Sequence, residues 1–208
     1  MSLQELEKQL VEAQAFVQQM FRSKASFIEA LAAYRALAEA QRALAAAKGE
    51  EYAVPVDIGF VPEAAVSEPV VLQTDQKTIL TFSAVRPMPD GKRQNVGYGI
   101  VEFDLCHLTK FGYPNDEALP GHPLHNKGLA KYGVYEVKNS LWTKLLTEQN
   151  RICFPKTPDS TSKHFIFTFH DSTFECIARS FSATLSSESY GQIFSVLAKK
   201  VLGQTGYF

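Results

Sequence analysis

The chain has 208 residues, 45% of them hydrophobic and 21% charged, which suits a protein with a packed core and excludes bulk disorder. Lys and Arg number 21 against 22 Asp and Glu, so the clustered basic footprint on which nucleic-acid binding draws is missing. The opening Met1-Ser2-Leu3-Gln4-Glu5 carries no secretory pattern, and no apolar run approaches the ~20 residues of a membrane span. A soluble, cytoplasmic protein is expected.

From Ser2 to Lys48 no Pro or Gly interrupts a stretch rich in Ala, Leu, Gln and Glu, a composition that predicts helix. Leu3, Leu6, Leu10, Ala13, Val17 and Met20 alternate spacings of three and four, the seam of a coiled coil. The frame continues through Phe27, Leu31, Tyr34 and Ala38, with Lys24 as a charged intruder. Ser26 and Glu29 fit a capping box, so the arm is either one helix of about 45 residues, roughly 68 Å long, or a hairpin folded at Ser23–Ser26. Its apolar stripe needs a cover: a second copy or a partner protein, which is the preferred reading, or the chain's own β domain.

Lys48-Gly49-Glu50 ends the helix, and residues 49–69, with Pro55, Pro62 and Pro69, read as an extended linker between a helical arm at 1–48 and a β-rich domain at 70–208. Most of the 15 Phe and 8 Tyr lie in that second part. Strands are expected at 70–73 and 77–85, then, after the turn Pro87-Met88-Pro89-Asp90-Gly91-Lys92, at 96–105. A long segment from Lys110 to Tyr132 reads as a loop, 133–138 as a strand, and Asn139 or Ser140 as the cap of a short helix. Phe165, Phe167 and Phe169 alternate with His164, Ile166, Thr168 and His170, and Phe174, Cys176 and Ala178 with Thr173, Glu175 and Ile177. That pattern predicts a hairpin that turns at Asp171-Ser172 and pairs Thr168 with Glu175. A helix from Ser187 to Leu202 closes the chain. The fold class is α+β: an antiparallel sheet with helices packed on one face, behind a coiled-coil-like N-terminal arm.

No P-loop, HExxH, GxSxG or Rossmann glycine pattern occurs, and no cofactor is assigned. Asp116, His122 and His125 sit within ten residues of the long loop and offer the nitrogen and oxygen ligands that zinc or iron takes, beside the plainer reading of a hydrogen-bonded loop. Glu102, Asp104, Glu136, His170 and Glu175 fall on polar faces of their strands. If those strands are neighbours, their side chains share a surface suited to acid–base chemistry, with Glu102, Asp104, His170 and Glu175 as catalytic candidates; an ordinary sheet turns such a face to water. Cys106 and His107 point to opposite faces of a strand and so do not form a nucleophilic pair, while Cys176 belongs to the Phe face.

Gly121–Leu124 (GHPL), Tyr132–Trp142 (YGVYEVKNSLW) and His164–Ala178 (HFIFTFHDSTFECIA) resemble stretches of uncharacterised bacterial proteins that have no assigned activity. The resemblance covers the central third to half of the chain and implies a cytosolic bacterial origin, with nothing about reaction or ligand. Two functions follow as expectations. The preferred one is a non-catalytic interaction module that oligomerises through its N-terminal helices. The other is an enzyme or ligand-binding domain that uses the 110–132 loop as a lid over the polar sheet face.

Overall fold

In the computed structural model, residues 1–23, 25–88 and 90–203 are described; Lys24 of the helical seam and Pro89 of the hairpin turn lie outside them. The arm is a hairpin of two helices, α1 (Leu3–Arg22) and α2 (Phe27–Ala47). Each starts at a capping box, Ser2 with Glu5 and Ser26 with Glu29, and the second satisfies backbone N–H groups left free where the chain folds back. Leu6 and Val17 of the seam are buried, and a Lys48–Glu7 ion pair (3.2 Å) ties the two ends of the hairpin together. α2 also touches the domain behind it: Gln41 donates to Asn126 (3.3 Å) and the Arg42 stem lies against Gly128.

Among the described residues, ten strands make two antiparallel sheets rather than the expected one. The first runs β1 (Tyr52–Pro55), β7 (Val134–Lys138), β8 (Lys163–Thr168), β9 (Thr173–Ala178), β6 (Leu108–Gly112). The second runs β10 (Ser180–Ser186), β5 (Arg93–Asp104), β4 (Thr78–Pro87), β2 (Val61–Pro62), with β3 (Val70–Gln73) also paired to β4. The segment read as a linker therefore supplies β1 and β2, with Pro55 and Pro62 at strand ends where no ladder donor is needed.

The Phe face of β8 and β9 packs against the second sheet, not against helices. Phe167 lies 6.2 Å from Phe82, 5.8 Å from Phe103 and 5.8 Å from Phe181. Phe165, Phe169, Phe174 and Cys176 complete this core with Leu80 and Val101. The two remaining helices cover the outer faces. α4 (Tyr190–Val201) lays Ile193 and Leu197 on Ile79 of the second sheet. α3 (Leu141–Cys153) starts at the Ser140 cap and crosses the first sheet beside His164.

The β8–β9 register differs from the expectation by two residues: Thr168 pairs with Thr173 and Ile166 with Glu175. The turn sits one residue earlier than expected: Phe169 N–H donates to Ser172 O (2.9 Å) across it, which leaves His170 and Asp171 at its tip in place of Asp171 and Ser172. A shift of two preserves the faces, so the alternation read from the sequence holds while the pairing does not.

The segment from Tyr113 to Gly133 folds over the outer face of the first sheet and buries Leu119, Leu124 and Leu129 against Tyr135, Val137 and Ile166. Thr168 anchors its far end, accepting from Gly133 N–H (2.9 Å) and donating to Ala130 O (2.9 Å). Gly128 is what lets it dock: at φ +95°, a Cβ there would sit 2.4 Å from Ala53 O and 2.7 Å from Arg42 Cγ.

Candidate functional site

The covered face of the first sheet holds a charged cluster that ordinary sheets keep in water. Glu175, on the outer face of β9, is only 2% exposed. Lys110 of the neighbouring β6 donates to its Oε1 at 2.8 Å. His122 from the covering loop places Nε2 3.6 Å from Oε1, and His164 from β8 places Nε2 3.3 Å from Oε2. Burial alone would raise the Glu175 pKa; the interactions with His122, His164 and Lys110 overcome it and hold the carboxyl well below its usual range. The group is ionised at neutral pH.

Neighbours fix how the imidazoles face it. Leu124 N–H donates to His122 Nδ1 (3.1 Å), which puts the ring proton of neutral His122 on Nε2, toward Glu175. Ser140 Oγ caps α3 by accepting from Thr143 N–H and lies 3.0 Å from His164 Nδ1, to which its hydroxyl can donate. In the tautomer that accepts that bond, His164 Nε2 carries the ring proton, toward Glu175. It is fully buried and, despite its closeness to Glu175, out of line for a hydrogen bond. The Trp142 indole stacks on the His164 ring, centroids 4.7 Å apart and planes 6° from parallel. Together Glu175, His122, His164, Lys110 and Trp142, with Glu51, Pro123 and Leu124, line a cavity of about 120 Å³. Two N–H donors and an ammonium ion thus surround one carboxylate beside an aromatic wall, an arrangement able to bind a polar molecule and pass a proton to or from it.

A second cluster sits where the loop meets the end of β8. Asp116 hydrogen-bonds the Tyr132 hydroxyl and lies 3.3 Å from His170 Nδ1 and 3.5 Å from Lys131 Nζ. The Tyr132 bond, against the opposing cost of burial, lowers the Asp116 pKa, with His170 and Lys131 adding to it; burial and Asp116 push Tyr132 up to about 12. Tyr132 takes a left-handed backbone (φ 56°), which an aromatic residue rarely adopts.

The sequence-derived candidates are scattered among these places. Glu175 and His170 lie in or beside the first sheet but in separate clusters. Glu102 and Asp104 are on the second sheet, held by Lys200 and by Arg179 respectively. Glu136 lies on the Phe165 side of its sheet with Lys138 and Lys163. The single acidic surface expected from alternation does not form, because β5 belongs to the other sheet. Asp116, His122 and His125 do not converge either: Asp116 engages Tyr132, His122 engages Glu175, and His125 joins neither cluster, its backbone N–H donating to His122 O. Among the described residues no group of three or more His, Cys, Asp or Glu is placed to hold a metal ion.

The Cys106 thiol donates to Leu108 O (3.7 Å); the neighbouring Cys176 lowers its pKa to about 7 against the opposing cost of burial, while burial raises Cys176. Sequence reasoning missed Lys110, Ser140 and Trp142 as members of this site. The signal available was His164 itself, an imidazole on the outer face of the hairpin two positions from Ile166. No family model, curated protein or solved structure matches the chain. Among the described residues no helix is long and apolar enough to cross a membrane.

Proposed function

We propose that the protein is a ligand-binding domain, poised for acid–base chemistry, that takes a small polar molecule into the cavity between the 113–133 loop and the outer face of the first sheet. The observation that carries this reading is the buried Glu175 carboxylate with His122 Nε2 3.6 Å away and His164 Nε2, buried without a hydrogen-bond partner, 3.3 Å away. Keeping an ion and an unsatisfied ring nitrogen out of water costs several kcal/mol, and groups held in this way concentrate at working sites. Lys110, about half exposed, stands at the mouth, and Pro123, Leu124 and Trp142 supply apolar wall. A ligand with an acceptor oxygen satisfies His122 and His164, and Glu175 stabilises whichever ring becomes charged.

Trp142 is the sole tryptophan of the chain and lines this cavity, so its emission reports occupancy directly. A screen of small alcohols, amides, amines and carboxylates is expected to give a saturable change in Trp142 emission for at least one class. No saturable change across the set removes the proposal.

Assembly through the arm is a second reading, supported by a different observation. Phe21, Phe27 and Ile28 at the tip of the hairpin are 70%, 61% and 66% exposed, with Leu31 and Tyr34 also open. Such an apolar group is costly in water unless a second copy or partner covers it. Sedimentation is expected to show a dimer or larger for the native chain and a smaller species for Phe21→Glu/Phe27→Glu; a monomer in both cases contradicts it. A cytoplasmic setting belongs to the same proposal, and the free thiols Cys106, Cys153 and Cys176 suit a reducing compartment.

A further inference from the structure

A wider cleft, of about 700 Å³, lies between α2 and the sandwich and shares no lining residue with the Glu175 cavity. Leu31 and Arg35 of α2 form one wall, the crossover from Pro55 to Val61 another, and Arg86 with the Tyr132–Tyr135 segment the rest. Its volume is in the range that holds a metabolite-sized ligand.

Its charge is the distinctive feature. Arg35 and Arg86 both face the cleft, and Arg93 stands at its edge with Cζ 5.8 Å from the centre of the Tyr132 ring. Among the described residues, the arginines that hold carboxylates are Arg151 and Arg179; Arg35, Arg86 and Arg93 hold none, although the chain as a whole has a slight acidic excess. Asp57 also lines the cleft, but its Oδ1 accepts from Gly59 N–H (2.8 Å) in a turn of its own. Arg86 Nε donates to Gly59 O (3.4 Å), which orients its guanidinium and leaves the terminal nitrogens free. Guanidinium groups fixed in this way offer paired donors that match carboxylate or phosphate oxygens.

The floor is aromatic and kept open. Tyr132 is clamped by Asp116 through its hydroxyl, and its left-handed backbone sets the ring where it lines the cleft. The next residue must be small: a Cβ on Gly133 would meet the Tyr135 hydroxyl at 2.6 Å and its ring at 2.8 Å. We propose that this cleft binds a small organic anion with a planar aromatic body, its acidic oxygens held by Arg35 and Arg86 and its ring laid against Tyr132.

Three compounds separate the contributions: 1-naphthyl phosphate carries both features, 1-naphthol only the ring, and inorganic phosphate only the charge. Calorimetry on the full chain is expected to show 1-naphthyl phosphate binding with 1:1 stoichiometry and at least tenfold more tightly than either fragment, more weakly as salt is raised. Backbone amide shifts are expected at Gly59 and Gly133. Arg86→Ala and the milder Arg35→Gln, both at exposed side chains, are each expected to weaken binding about tenfold, while Arg151→Ala leaves it unchanged. Equal affinity for 1-naphthol, shifts confined to other surfaces, or unaltered binding by both cleft variants overturns the proposal.

Discussion

Phe167→Ala is expected to cost about 3–5 kcal/mol of folding stability in urea unfolding, the usual range for deleting a fully buried phenyl ring. Its ring is 0% exposed and meets Phe82, Phe103, Phe174 and Phe181 from both sheets. Rigid rings from two backbones cannot collapse into the space, so most of the cavity persists. Phe154→Ala, at a ring 64% exposed after the end of α3, is expected to change stability by no more than about 0.5 kcal/mol. Similar losses at the two positions would mean that the sheets do not face each other through Phe167.

Glu175→Gln is expected to cost about 3 kcal/mol at pH 7, because it removes the negative partner of Lys110 and puts an NH2 donor in place of one of the two oxygens beside the imidazoles. The effect carries a pH signature. The folded pKa of Glu175 lies below its unfolded value, so the unfolded chain takes up the proton first as the solution is acidified. The stabilisation is complete above about pH 5 and disappears as pH falls through the ordinary carboxylate range and below it. The native protein therefore loses stability on acidification more steeply than the glutamine variant, and the gap between them narrows. A constant gap from pH 7 to pH 3 would mean that the carboxylate is not held ionised.

The hydrophobic alternation at 163–178 was legible because phenylalanines at every second position admit one side of a strand only, and Ser140 and Ser26 announced their caps through hydroxyls beside apolar runs. What covered the phenylalanines was not. Alternation reports that a face is buried and says nothing of whether a helix or a second sheet buries it, so the assignment of β5 to a separate sheet, and with it the parting of Glu102 and Asp104 from Glu175, was out of reach. The strands β1, β6 and β10 are short or lie at sheet edges, where half-exposed residues blur the period.

The site was half legible for the same reason. Glu175 and His122 stood out as ionisable groups on a strand and in a long loop, yet their meeting depends on the loop folding over the sheet, a contact across some fifty positions of sequence with no local signature. Glycine gave a hint at Gly128, whose backbone conformation and lack of a side chain permit that docking. The metal ligands suggested by Asp116, His122 and His125 failed because the loop sends Asp116 toward Tyr132 and His122 toward Glu175.

The central claim is that His122, His164 and Glu175 form a binding cavity rather than a sealed ionic plug. It is tested most directly by following Trp142 emission while a compound active in the screen is titrated into the native protein and into His122→Ala. Saturable change in the native protein, with the half-saturation concentration raised at least tenfold in the variant, is the predicted result. Identical titration curves for the two proteins would contradict it.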